Sequence, residues 1–413
     1  MMNESSVSLG RRCEDFSLRP FARAVGLIVA ALVLFIAPDK AFAADVTPRA
    51  EVRDGVTVRA EPDGTSDRVG VLRPSERAAY IGSVPNWHEV RLANHVHGFV
   101  PKRWTVISEP TEQIPFQLHF LDVGTGDSSI LDVGEGEMVI DGGDNVSTLD
   151  NYAFATGVIQ GPIELAVVTH ADTDHWRGLT RLLGFDKRSK QAHPVQEFWE
   201  PGYNRDCRPL DSYTTFIQNV RAQATRFRRP LSETNVPAVV SGVPTPITVP
   251  GLPGVQITLL HSDPAPTSKD CAYAINDASI VLLVEVGGVR ILLTGDANGK
   301  ERDGPSSEVG HVEQKLLALE ATHPGLLKAD ILKVPHHGSE TASTDAFIAK
   351  VAPRFVIISA STKHDLPRAS VVKRYEAPGR ILLRTDRHPE PAKDDIICGR
   401  DENAELGCAF AEN

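Results

Sequence analysis

The chain has 413 residues, a formal net charge of −11, and 41% hydrophobic against 23% charged residues. That length exceeds one average core and implies two folded units plus an appendage, with the composition of a soluble globular protein. The acidic balance excludes a tight non-specific grip on a phosphate backbone, which needs many Lys and Arg contacts, so any nucleic acid must be held locally.

Residues 1–43 have the layout of a secretory signal peptide. Arg11, Arg12, Arg19 and Arg23 precede a short apolar run from Ala24 to Ala37, and Ala41-Phe42-Ala43 supplies a small-x-small cleavage pattern. The run is shorter than the roughly 20 residues that span a bilayer, which disfavours the alternative of an uncleaved membrane anchor. A secreted or periplasmic location is therefore expected. Of five cysteines, Cys13 leaves with the signal, and the even remainder (Cys207, Cys271, Cys398, Cys408) suggests disulfides. Cys398–Cys408 and Cys207–Cys271 are the preferred pairs among three connectivities.

Residues 50–107 predict a small all-β barrel. Short alternating runs (Val56, Val58; Val69, Val71; Trp87, Val90; Phe99, Val100) are broken by Asp54-Gly55, Asp63-Gly64 and Pro85-Asn86. The stretches Val56-Thr57-Val58-Arg59, Asn86-Trp87-His88-Glu89-Val90 and Gly98-Phe99-Val100 resemble bacterial Src-homology-3-like domains of cell-envelope proteins. That resemblance implies a cell-wall or protein ligand, with Trp87 and Trp104 serving either as core or as binding aromatics. Residues 108–115 read as a linker.

From Phe116 the pattern becomes α/β. Strand-like runs at Leu118–Val123, Ser129–Val133, Met138–Ile140 and Leu165–Thr169 lead to a helical stretch, Trp176–Leu183. An irregular, Pro-rich insertion covers 184–275. Strands return at Ile280–Val286, Arg290–Leu293, Ile331–Val334, Phe355–Ser359 and Ile381–Arg384, with a helix over Val312–Leu319. Residues 391–413 read as a tail that a disulfide could close.

The chemistry concentrates at strand ends. Thr169-His170-Ala171-Asp172-Thr173-Asp174-His175 puts four metal-ligand side chains into six residues after a buried strand. Asp296 ends the run Ile291–Gly295, where its carboxylate could bridge two ions. His336-His337 follow Ile331–Val334, and Asp141 precedes Gly142-Gly143. Packing alone requires none of these at such positions.

The blocks HFLDVGTGDSSI, MVIDGG, VVTHADTDHWRGL, NDASIVLLVE, ILLTGDA and LKVPHHGSETAS occur in this order. They are similar to the metallo-β-lactamase-fold domain of ComEC competence proteins and their free-standing relatives, over residues 116–390. The resemblance implies an αββα sandwich after the small barrel, and a metal-dependent hydrolase with two divalent ions, zinc or manganese. It implies His170 and Asp172 as ligands of one ion and Asp174 and His175 of the other. Asp296 would bridge, one of His336 and His337 would complete the second position, and Asp141 would orient ligands. Asp174, Asp296 and His364 are the expected catalytic residues, His364 protonating a leaving group or touching substrate. His261 is the one candidate for the family's separate histidine ligand. A phosphodiester, DNA or RNA, is the implied substrate, with Arg221, Arg226, Arg228 and Arg229 as a possible local grip. The alternatives are a lactam, lactone or cell-wall ester, or an envelope-binding protein with a degenerate site. The chain shows no transmembrane channel segments.

Overall fold

A computed structural model describes residues 45–49, 51–74, 76–92, 96–107, 114–134, 136–229, 239–240, 243–360, 364–387, 394–400 and 406–411. The expected signal peptide and most of the expected linker lie outside them.

The N-terminal β region is a seven-stranded antiparallel sheet in the order Arg68–Leu72, Val56–Arg59, His97–Pro101, Trp87–Arg91, Ala78–Val84, Asp45–Pro48, Thr105–Ile107. Alternation sends Val56, Val58, Val90 and Val100 inward with Val46 and Leu72. Trp104 is 46% exposed and Trp87 half-buried, so neither belongs to that core.

The remainder is built on two large facing sheets, with a two-stranded sheet of Val239–Val240 and Val243–Pro244 beside them in the chain. The first runs Arg226–Arg228, Val195–Trp199, Ile163–Val167, Gly136–Ile140, Ser129–Val133, Phe116–Phe120, Ile396–Arg400, Gly407–Phe410. The second runs Gln256–His261, Val281–Val286, Val289–Leu293, Ile331–Lys333, Phe355–Ile358, Ile381–Arg384. Side-chain parity writes the layers. Met138, Ile140, Leu165 and Val167 face Leu282, Val284, Ile291 and Phe355 in the shared core. Their sequence neighbours point outward. Val139, Ala166 and Val168 pack on Leu149, Leu179, Phe216 and Val220 of the helical segments outside the first sheet. Leu283, Leu292, Leu332 and Val356 pack on Val312, Leu316, Phe347 and Tyr375 outside the second. This is the expected αββα sandwich.

Two segments differ from expectation. Residues 396–400 pair antiparallel with Phe116–Phe120, so the C-terminal stretch expected as a tail completes a sheet, and Cys398–Cys408 cross-links its last two strands. The stretch expected as an irregular insertion holds Val195–Trp199, the helix Asp211–Gln223 and the strand Gln256–His261. The helix buries Tyr213, Phe216, Ile217 and Val220, an i, i+3, i+4, i+7 stripe legible in the sequence.

Candidate metal centre

Gly136–Ile140 runs parallel to Ile163–Val167 in one sheet, and Val289–Leu293 parallel to Ile331–Lys333 in the other. The carboxyl ends of these four strands release Asp141, His170, Asp296 and His336-His337 at one edge, where open parallel sheets place ligands. Close backbone approaches pull the loops together. Gly295 has φ +50, and a Cβ there would meet Thr169 Cβ at 2.8 Å. Gly126 has φ +94, and its Cβ would fall 1.7 Å from the Asp174 carbonyl oxygen. Only glycine lets the 124–127 loop lie on the 172–175 loop.

Asp296, 4% exposed, is the hub. Its Oδ1 is 3.5 Å from His175 Nε2, and its Oδ2 is 3.2 Å from His337 Nε2 and 3.9 Å from both His170 Nε2 and His336 Nε2. Two of these imidazoles are oriented from behind by carboxylates. His175 Nδ1 donates to Asp141 Oδ2 at 2.8 Å, and Asp141 also accepts from the Thr169 amide and hydroxyl at 2.8 and 2.7 Å. His337 Nδ1 lies 3.2 Å from Asp127 Oδ1 and 3.2 Å from the Ser359 carbonyl oxygen. Each aspartate fixes one ring nitrogen and leaves Nε2 aimed at Asp296, the arrangement that makes imidazole a strong metal ligand. Asp172 places Oδ2 3.9 Å from His170 Nε2, and His337 Nε2 is 4.0 Å from Asp174 Oδ2.

Charge explains how the cluster titrates. Burial favours neutral imidazole, but Asp296 and Asp141 outweigh it and hold His175 well above the ordinary value. Burial is likewise overcome at His337, where Asp296 and Asp127 raise it to about 10. Asp296, despite burial, is held well below the carboxylate range by His337 and His175. Burial and the His175 charge push His170 well down, and burial takes His336 to about 4. Burial and the Asp174 charge lift Asp172 to about 6. Protons on His175 and His337 thus supply part of the positive charge that a buried acidic cluster demands.

The donor set fits divalent cations. One ligand atom from each of Asp127, His175, Asp296 and His337 lies within 4.8 Å of the others, all four residues being buried. The Nε2 atoms of His170, His175 and His337 and Asp296 Oδ1 are buried without hydrogen-bond partners. Four such atoms converging would be costly in a finished protein interior, and a cation is what satisfies them. Mixed imidazole and carboxylate donors suit zinc and manganese.

Of the expected site residues, His170, Asp172, Asp174, His175, Asp296, His336 and His337 come together, with Asp141 behind His175. His336 turns toward Thr341 Oγ1, 2.8 Å from its Nδ1, and Asn276, so His337 is the deeper of the pair. His261 donates to the Ser279 carbonyl oxygen at 2.9 Å, and burial lowers it to about 4; among the described residues no ion pair joins it to Asp296. His364 is exposed. It lies on the turn whose Pro367 abuts Gly338, without a hydrogen bond or ion pair to the cluster among the described residues. Arg226 and Arg228 pair with Glu197, Arg229 pairs with Glu200, and Arg221 lies over Phe227, so these guanidiniums are engaged by the protein. Two residues were missed. Asp127 lies in the block HFLDVGTGDSSI without standing out there, although a glycine on either side of Thr125 is the sign of a tight approach. Lys333, 3% exposed, contacts Asp127 and lies 3.9 Å from Asp296 Oδ1. A lysine inside the apolar run Ile331–Val334 was its signal.

The αββα layers and the buried histidine–aspartate cluster at the strand ends agree with the resemblance read from the sequence. Parts of the sequence are similar to competence proteins. The chain is 25% identical over 296 residues to ComE operon protein 3 of Bacillus subtilis, covering 66% of this chain and 32% of that protein. It is 34% identical over 113 residues to competence protein ComA of Neisseria gonorrhoeae, covering 27% and 14%. Recombination protein 2 of Haemophilus influenzae matches at 25% over 277 residues, covering 65% and 27%. The chain therefore spans about a third or less of the length of these relatives. No family model matches it. Among solved structures, the metallo-β-lactamase fold protein YhfI of Bacillus subtilis aligns at 12% identity and TM-score 0.36, covering 64% of this chain and 95% of that one. A diphosphatase from the PhnP family aligns at 14% identity and TM-score 0.35, covering 65% and 95%.

Proposed function

We propose that the chain hydrolyses phosphodiesters, DNA or RNA, at a two-cation centre. The observation that carries this reading is the buried Asp296 carboxylate on which the Nε2 atoms of His170, His175 and His337 converge. The similarity to competence proteins supports a nucleic-acid substrate. His170 and Asp172 would hold one ion, Asp174, His175 and His337 the other, and Asp296 would lie between them. Bound divalent cations supply an activated water near neutral pH and stabilise charge on the departing oxygen. The protein's own part is positional. Asp141 and Asp127 fix the tautomers of His175 and His337, and Lys333 offsets the charge of Asp127 and Asp296. His364 is the proposed proton donor to the leaving group, delivered by the turn against Gly338.

The reading includes export to the periplasm or outside the cell. Two disulfides fit an oxidising compartment, and no helix among the described residues is long and apolar enough to cross a membrane. We assign residues 50–107 the role of holding the enzyme at an envelope partner. A groove of about 800 Å³ there is lined by Trp87, Trp104, Arg53, Arg59, Lys102 and Arg103 among others.

The test is a screen of bis(p-nitrophenyl) phosphate, DNA and RNA against a cephalosporin, a lactone and a neutral ester, with manganese or zinc. Phosphodiester turnover that chelation removes, and that Asp174→Ala and Asp296→Ala lose, is the expected result. Turnover of only the lactam, lactone or ester would overturn the substrate assignment.

A further inference from the structure

Asp172 divides its two oxygens. Oδ2 is turned to His170 Nε2 at 3.9 Å, while Oδ1 is 3.5 Å from Arg205 Nη1. Arg205 comes from the long segment between the first motif and Gln256–His261, and it is only 8% exposed. Its Nε is buried without a hydrogen-bond partner. A buried guanidinium with a spare donor is poorly accounted for by packing alone; its ion-pair partner at the site is Asp172. The backbone of Arg205 is left-handed, φ +58, which a non-glycine residue adopts only when its surroundings impose it.

Three local features of that segment stand out among the described residues. Arg208 N–H closes a turn on the Arg205 carbonyl at 2.8 Å. Tyr203 packs on Ala274, Ile275 and Ala278, a small cluster separate from the three large ones of the sandwich. Two residues beyond Arg205, Cys207 is bonded to Cys271, 64 positions away, at the start of the helix Cys271–Asp277. That helix places Asn276 Nδ2 3.4 Å from His336 Nε2. One covalent bond therefore joins the loop that steers Asp172 to the helix that touches His336.

We propose that Arg205 is a positioning residue for Asp172, and that the Cys207–Cys271 bridge holds it there, so that filling of the His170–Asp172 cation position depends on an oxidised bridge. The inference rests on the two-cation reading above. By occupying Oδ1, Arg205 leaves Oδ2 as the oxygen presented beside His170. With the bridge open, the small Tyr203 cluster is left to hold a strained, buried arginine, the loop relaxes, and Asp172 loses its fixed orientation. Among the described residues neither Arg205 nor the bridge contacts Asp174, His175 or His337, so the position they serve keeps its ion.

The test measures bound metal rather than turnover. Wild type, Arg205→Ala, Arg205→Lys and the double variant Cys207→Ser/Cys271→Ser are equilibrated with zinc, desalted and analysed for metal, with circular dichroism recorded on each. The double variant leaves Cys398–Cys408 intact, which a reductant would not. Expected are two ions in wild type, one in Arg205→Ala and in the double variant, and partial recovery of the second in Arg205→Lys. The first-position dissociation constant should rise about 10- to 100-fold in Arg205→Ala, the range for outer-shell partners of metal ligands. Two ions at unchanged affinity in Arg205→Ala, or a double variant equal to wild type, would overturn the proposal while leaving the two-cation reading intact. Loss of both ions together with the circular dichroism signal would assign the bridge a purely structural role and also overturn it. Well under one ion in wild type would remove the two-cation reading itself.

Discussion

Replacing Asp141 by Asn isolates the contribution of the carboxylate that stands behind His175. The side chain is 1% exposed and accepts three hydrogen bonds, from the Thr169 amide at 2.8 Å, the Thr169 hydroxyl at 2.7 Å and His175 Nδ1 at 2.8 Å. Its φ of +58 is left-handed, which Asn tolerates as well as Asp, so the backbone stays in place. Asn keeps one acceptor oxygen and turns the other into an NH₂ donor facing a donor. At least one buried N–H or O–H is then unpaired, costing about 1–3 kcal/mol of stability. His175 also loses the negative charge that fixes its Nδ1 proton. Outer carboxylates of this kind are worth about 10- to 100-fold in metal affinity, or about 1.4–2.8 kcal/mol at 1.4 kcal/mol per decade. Competition with a chromophoric chelator measures the affinity, and a thermal melt of the stripped protein measures the stability. An Asp141→Asn protein that binds zinc as tightly as wild type would refute the claim that Asp141 orients His175.

Other perturbations address other parts. With His337 at about 10 and His175 also raised, metal uptake at neutral pH must expel protons, and affinity should climb with pH toward 10; titration calorimetry in buffers of different ionisation enthalpy reads the proton count, and zero release would contradict the assignment. Because the folded His337 value lies above its unfolded 6.5, its stabilisation of the stripped protein is full below 6.5 and is lost as pH rises through about 10, so chelated protein should melt progressively lower over that window. Gly126→Ala forces a Cβ to 1.7 Å from the Asp174 carbonyl oxygen at φ +94 and should cost at least about 3 kcal/mol in denaturant titration, with loss of bound metal. His364→Ala should slow esters with poor leaving groups by about 10²-fold or more and spare p-nitrophenyl esters; equal slowing of both would remove it as the proton donor.

The αββα layers were expected from the family resemblance, and in the structure side-chain parity writes them: Met138 and Ile140 face one way and Val139 the other, as Leu282 and Val284 do against Leu283. The ligand loops were legible because His and Asp at the ends of apolar strands have no packing reason to be there. The Val195–Trp199 strand and the Asp211–Gln223 helix were not recognised because Pro-rich and polar stretches on either side mask short elements, although the helix carries a regular apolar stripe. The C-terminal strands were missed for another reason. Residues 396–400 bond to residues 116–120, and such a pairing across the length of a domain leaves no local trace. Asp127 and Arg205 fall between these cases. A single charged residue in a turn is usually solvated, and only the fold shows that these two are buried against His337 and Asp172.

The most direct test of the metal centre is anomalous diffraction from crystals grown with zinc, recorded on both sides of its absorption edge. The account predicts anomalous density bounded by Asp296, His175 and His337, with a second peak beside His170 and Asp172. Data of good quality without a peak at Asp296, or with zinc only on surface side chains, would contradict it.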